Sequence, residues 1–340
     1  MIKFRSDTIT KPTVKMLEVM LNAKVGDDVF GEDPTVNELQ ARVAHMFGKE
    51  AGLFVPSGTM SNQLGVKVLT QPGDEILIEK KGHIYNYESS GASMLSGVQI
   101  APIEGIKGKL TPSDLANTVR GLYDWEPKTT VLCLENTTNK GGGACYTELE
   151  LKKLRTFADT HNLKIHLDGA RIWNAITATG IKPKFFGEIA DTISVCFSKG
   201  LGAPVGSMLL SSKKNIGRAR RYRKMWGGGM RQIGLLAEAA NYAIDHHQSL
   251  LVEDHRRAKE LALVINECEQ LTIDLESVET NILIFEVLTE RAVDAVEKLG
   301  KHGVRMVPFG PNTVRATFHF EIGDEQLEMV KAVIKQLYSR

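Results

Sequence analysis

The feature that most limits how this chain can fold is a rhythm: short apolar runs rich in β-branched residues alternate with amphipathic or capped helical stretches. The runs are AGLFV (51–55), EILIE (75–79), VQIAPI (98–103), TTVLCLEN (129–136), LKIHLDGAR (163–171), DTISVCF (191–197) and GSMLLS. Runs of this length bounded by turn residues suit buried strands. The stretches between them, such as the capped TPSDLANTVRG and the amphipathic ELELKKLRTFADTHN, suit helices. Strand and helix in alternation predict an α/β fold with a mostly parallel sheet between helices. Ligands of such sheets bind beyond the carboxyl ends of the strands. His83, Asp168, Arg171 and Lys199 each follow a strand-like run, so polar residues from separate strands can converge there.

The flanking regions are less regular. Residues 1–34 surround one helix near Pro12 to Ala23 and end in the loop VGDDVFGEDPT, and a second helix is expected near Thr35 to Phe47. A long helical stretch is predicted from Leu235 to Glu267. Beyond Leu271 the pattern becomes short strands (NILIFEV, GVRMVPF, TVRATFHF) with helices between them and a last helix near Asp324 to Leu337. This division predicts a large domain over 1–250, including the N-terminal segment, and a smaller α/β domain over 251–340.

Composition narrows the function classes. A net charge of +1 argues against a nucleic-acid or other polyanion binder. The four cysteines (Cys133, Cys145, Cys196, Cys268) show no metal-ligand spacing, and no metal site is expected. They read as reduced core thiols. The N-terminus lacks the shape of a signal peptide, and no apolar run approaches the roughly 18 residues of a membrane span. A soluble cytoplasmic protein with a small-molecule ligand is the expectation.

Two stretches carry chemistry. In DTISVCFSKGLGAPVGSM, Lys199 stands at the tip of an apolar strand beside small residues that leave room for a bulky group. Partial desolvation there favours the free amine, as a Schiff-base lysine requires. On this stretch alone, a lysine capping a strand and reaching for water is the more ordinary reading. In LFVPSGTMSNQ a strand, a glycine turn and a helix start offer the backbone geometry that holds a phosphate, with Ser57, Gly58 and Thr59 at the turn. No G-x-G-x-x-G follows the first strand, which excludes a Rossmann dinucleotide site.

The stretches RSDTITKPT, VGDDVFGEDPT, LFVPSGTMSNQ, HIYNYE, LENTTN, HLDGARIWNA, FSKGLGAPVGS and RKMWGGGMRQ are ordered along residues 4 to about 235. Together they resemble the threonine aldolases, pyridoxal-phosphate (PLP) enzymes of the aspartate-aminotransferase fold (fold type I), with a seven-stranded type of sheet in the large domain. The resemblance implies that Lys199 binds the cofactor covalently, Asp168 pairs with the pyridine nitrogen and His83 stacks on the ring, with His83 a possible base. It implies that Arg171 reaches the ring hydroxyl or the substrate carboxylate, and that Ser57, Gly58 and Thr59 cradle the phosphate. Lys224 and Arg231 match residues that complete a neighbouring subunit's phosphate site, which implies a homo-oligomer, at least a dimer and in this family a tetramer. Ser6 and Arg315 match positions that bind the substrate carboxylate. The implied reaction cleaves threonine, allo-threonine or another β-hydroxy-α-amino acid to glycine and an aldehyde. A β-eliminating lyase, or another amino-acid reaction on the same scaffold, is the alternative.

Three positions depart from the family pattern. Phe30 stands where members carry tyrosine, Thr138 follows LENT where many carry histidine, and by spacing Trp125 occupies another histidine position. The two missing histidines are those expected at the β-hydroxyl. A general base typically contributes about 10²–10⁴-fold, so their absence is expected to weaken or redirect activity, and an indole at 125 to favour aryl substrates such as phenylserine.

Overall fold

A computed structural model describes residues 1–121 and 123–339. Its centre is a seven-stranded sheet in the order Ala51–Val55, Ser207–Ser211, Thr192–Cys196, Lys164–Gly169, Thr129–Glu135, Glu75–Glu79 and Gln99–Ile103. Every predicted run in the alternating region becomes a strand of this sheet. All neighbouring pairs are parallel except those made by Ser207–Ser211, which runs antiparallel to both of its neighbours. The loop 197–206 is too short for the crossover that a parallel connection needs, so the chain turns straight back. Strands Glu75–Glu79, Thr192–Cys196 and Ser207–Ser211 are buried throughout, as a sheet covered by helices on both faces requires.

Helix starts follow local sequence. Asp33 caps Pro34–Met46 by accepting from the Val36 N–H at 3.1 Å, and Thr147 with Glu150 forms a capping box at Glu148–Thr160. The long helical stretch expected after Leu235 is broken into Gly234–His246, a short turn at Gln248–Leu250 and Leu251–Asn266. His247 sits at the break, where its ring Nδ1 donates to the Leu201 carbonyl at 2.7 Å and is buried. That bond pins the chain to the loop that follows Lys199.

Two main apolar cores organise the chain. One joins the large sheet to its helices around Phe54, Leu132, Leu167, Trp173 and Phe197. The other gathers Leu261, Phe285, Phe318, Ile334 and Tyr338 around a four-stranded antiparallel sheet. Phe4 belongs to the second core, and Ile2–Lys3 pairs in parallel with Val304–Arg305. The chain therefore starts on the C-terminal unit before residues 6–9 cross to the large sheet. Among the described residues no helix is long and apolar enough to cross a membrane.

Candidate active site

Four adjacent strands of the large sheet deliver the candidate residues at their carboxyl ends. Lys199 follows Thr192–Cys196, Asp168 lies near the end of Lys164–Gly169, Glu135 ends Thr129–Glu135, and His83 follows Glu75–Glu79. Lys199, Asp168, His83, Ser57, Gly58 and Thr59 line one cavity of about 230 Å³. The helix Gly58–Leu69 opens onto it, with Ser57 as its cap accepting from the Met60 N–H at 3.1 Å. A Cβ at Gly58 would stand 2.7 Å from Cys196 Sγ, so only glycine lets this turn sit against the strand. Gly58 and Thr59, whose N–H groups have no partner within the helix, both line the cavity.

The floor of the cavity is a buried polar network. Asp168 is 1% exposed; its Oδ1 accepts from the Ala170 N–H at 3.0 Å and its Oδ2 from Asn62 Nδ2 at 2.8 Å. The same Asn62 amide donates to Glu88 Oε1 at 2.8 Å, and Gln63 Nε2 donates to Glu88 Oε2 at 2.6 Å. His166 closes the chain behind them, bonded to Asn62 Oδ1 and Thr192 Oγ1. Burial holds the His166 pKa down at about 4, so it is a neutral structural group. His83 Nδ1 meets Glu88 Oε1 at 2.8 Å. Burial opposes its imidazolium, but the Glu88 bond and the charges of Asp168 and Glu88 outweigh that, and its pKa lies above the ordinary value. His83, Glu88 and Asp168 offer ligand atoms within 4.8 Å of one another, a spacing compatible with a metal ion. All three are already engaged in this network, however, and the arrangement reads as a support for His83.

The two arginines stand in different electrostatic states. Arg171 is clamped by the buried Asp7, with Nε to Oδ2 at 2.8 Å and Nη2 to Oδ1 at 2.7 Å. Burial opposes the Asp7 carboxylate, but the charge and hydrogen bonds of Arg171, with help from Lys199 and Asn281, bring its pKa down to about 2. Arg315 donates to Asn139 Oδ1 at 2.8 Å and to the Arg5 carbonyl at 3.0 Å, and lies over the Phe309 ring. Among the described residues it makes no ion pair, and its buried Nε has no partner. Burial first and the Arg171 charge second depress its pKa to about 10. It is a partly desolvated cation that lacks an anion.

The remaining predicted residues lie elsewhere. Ser6 adjoins Asp7, its Oγ accepting from the Thr8 N–H at 3.2 Å. Thr138 is buried with its hydroxyl donating to the Lys107 carbonyl at 2.9 Å and does not line the cavity. Phe30 is 74% exposed, and Trp125, stacked on Tyr123, is 77% exposed; neither lines the cavity. Lys224 is exposed in a cleft with Arg220 and Arg221, and Arg231 pairs with Asp27 at 2.7 Å. Both stand apart from the cavity within one chain. Sequence reasoning passed over Asp7, Asn62, Glu88, Glu135 and Asn139, although each lies inside one of the quoted motifs. The available signal was an acidic or amide residue inside a short motif that already held a candidate, as with Glu88 at the end of HIYNYE.

Residues 3–288 match the beta-eliminating lyase family. The chain is 40% identical to a probable low-specificity L-threonine aldolase 2 of Arabidopsis thaliana over 99% of its length and 97% of the relative's. It is 39% identical to a low specificity L-threonine aldolase of Escherichia coli K12, with 98% of each covered. Its fold matches a threonine aldolase of Leishmania major with a TM-score of 0.86 at 19% identity, covering 99% of both chains. The chain belongs to the beta-eliminating lyase family, among the low-specificity L-threonine aldolases.

Proposed function

We propose that the protein is a PLP-dependent aldolase that cleaves L-threonine, L-allo-threonine and related β-hydroxy-α-amino acids to glycine and an aldehyde. The observation that carries this reading is the convergence of Lys199, Asp168, His83 and the Gly58 helix start on one cavity. These residues fit the cofactor: an amine for covalent attachment, a buried carboxylate for the ring nitrogen, an imidazole for the ring face, and a turn that an added Cβ would fill. When bound, PLP supplies the electron sink for the bond broken at Cα.

The chain's own groups do the rest. Asn62 and the Ala170 N–H fix the Asp168 carboxylate. Glu88 orients His83, leaving Nε2 as the atom that takes the β-hydroxyl proton, directly or through an ordered water. Arg315, with no anion of its own, receives the substrate carboxylate with Ser6 beside it; a guanidinium suits that planar group. Arg171, already neutralised by Asp7, keeps only its Nη1 side for a cofactor oxygen or the carboxylate. Lys224 and Arg231, both exposed, serve the phosphate site of a neighbouring subunit in a dimer or tetramer. Phe30, Thr138 and Trp125 remain candidates for the substrate side only through such a neighbour or a moved loop. Trp125 therefore gives no reason within one chain to rank phenylserine above threonine. The compartment is cytoplasmic on this reading, and the two cores are domains that divide near residue 250, except that the chain's first residues, expected in the large domain, belong to the second core because Phe4 packs there and Ile2–Lys3 pairs with Val304–Arg305.

The test is an aldehyde-release assay of the holoenzyme on threonine, allo-threonine, phenylserine and serine. Aldehyde and glycine in equal amounts are expected from the first three. Pyruvate and ammonia from serine with no aldehyde from any would replace the reading with β-elimination, which the family match keeps open.

A further inference from the structure

We propose that Glu135 is a positioning residue whose carboxylate ties His83 and Arg315 into a single substrate-binding frame, so that its ionisation tightens amino-acid binding. The inference rests on the aldolase reading of the site and deepens it.

Glu135 does not line the cavity itself, but its carboxylate bonds to His83, which does, and to Asn139, which holds Arg315. Its Oε2 accepts from the His83 backbone N–H at 2.7 Å, at the start of the short helix His83–Asn86 that carries the imidazole. Its Oε1 accepts from the Asn139 N–H at 2.7 Å, and the Asn139 side chain in turn receives Arg315 Nη1 at 2.8 Å. One carboxylate therefore anchors the residue over the ring position and, through one intermediary, the guanidinium assigned to the substrate carboxylate. These two groups must keep a fixed separation if one amino acid is to engage both. Each oxygen has one N–H to serve, which suits the ionised form. When one oxygen is protonated it accepts less well from the N–H it serves. One arm of the frame must then loosen.

The surroundings place this change at a useful pH. Burial and the neighbouring Asp168, its register partner on the next strand, push the Glu135 pKa up to about 7 against the pull of the two N–H bonds and of His83. The other charged or titratable groups facing it are Arg171, Tyr146, and Glu79 and Cys133, which line a small cavity with it. Tyr146 and Cys133 stay neutral, both pushed up by burial, and Arg171 stays charged beside Asp7. The frame is loose below about pH 7 and tight above it.

The test uses glycine, which has no β-hydroxyl and needs no proton acceptor, so the titration of His83 as a base does not enter. Glycine affinity of the holoenzyme is read from the cofactor absorbance between pH 6 and pH 8, in wild type and Glu135→Gln. Free-amine ionisation affects both equally and cancels in the ratio of their Kd values. For a group titrating near 7, the ratio of variant to wild type should grow about tenfold across this range. A ratio that stays constant with pH would overturn the proposal, as would wild type that does not respond to glycine. If Glu135→Gln fails to fold, Asn139→Ala cuts the Arg315 arm alone. It should lose the part of the pH dependence that runs through Arg315, and a constant ratio there overturns the proposal too. Glycine binding without aldehyde release from any β-hydroxy amino acid would sink the aldolase reading and leave this inference standing.

Discussion

Asp254 carries a carboxyl group with nothing to bond. It is fully buried near the start of Leu251–Asn266, and among the described residues neither of its oxygens has a hydrogen-bond partner. Burial pushes its pKa up to about 8; Arg257 opposes the rise, and Asp7 and Glu253 add to it. An acid whose pKa is raised on folding stabilises fully below its unfolded value near 4 and loses that contribution as pH rises through its folded value. Asp254→Asn should therefore gain Tm relative to wild type, with the gain growing from about pH 4 to about pH 8 and then levelling. A gain that does not change with pH in thermal scans would contradict this. Asp254 offered no sign in the sequence, where it reads as an ordinary charge in the first turn of a helix. Lys199, Asp168 and His83 were legible for the opposite reason: each stands where an apolar run stops. The Asp7–Arg171 clamp was not legible, because nothing local in RSDTITKPT or HLDGARIWNA says that these residues, far apart in the chain, share one buried pair.

Among the elements, the helix Gly58–Leu69 does the most to assemble the site. Its first turn faces the cavity, Asn62 holds Asp168 and Glu88, Gln63 holds Glu88, and Gly65 leaves room for the His166 ring, which a Cβ would approach to 2.4 Å. Gly58→Ala should push this turn off the Cys196 strand and misplace its N–H groups. The expected result is PLP affinity weakened at least about tenfold, the effect of losing one to two charge-assisted hydrogen bonds, with Tm of the cofactor-free protein lowered as well by the overpacked Cys196 contact. Cofactor titration of that variant beside wild type checks it. Strand identity was legible throughout this region because a buried parallel strand needs an apolar run. The direction of Ser207–Ser211 and the break at His247 were not, since loop length and one histidine-to-carbonyl bond decided them.

At the scale of the whole molecule, residues 2–9 join the two cores. Ile2 and Phe4 bond to and pack on the C-terminal unit, and three residues later Asp7 is clamped to Arg171 and accepts from Asn281. Phe4 is fully buried with its ring centroid 4.9 Å from that of Phe318. Phe4→Ala should destabilise by about 3–5 kcal/mol and also raise the KM for threonine, because Ser6 and Asp7 lose their tether. Denaturant unfolding and steady-state kinetics check the two effects, and a stability loss with unchanged KM would show that the tether is not needed. The same strap imposes an order on biosynthesis. Residues 2–7 leave the ribosome long before Asn281 and Val304–Arg305 do. Contacts this distant in sequence form late and slowly. The pocket therefore cannot reach its finished shape on a nascent chain, and a product truncated before Asn281 would carry Lys199 and Asp7 without the C-terminal contacts that hold the strap in place.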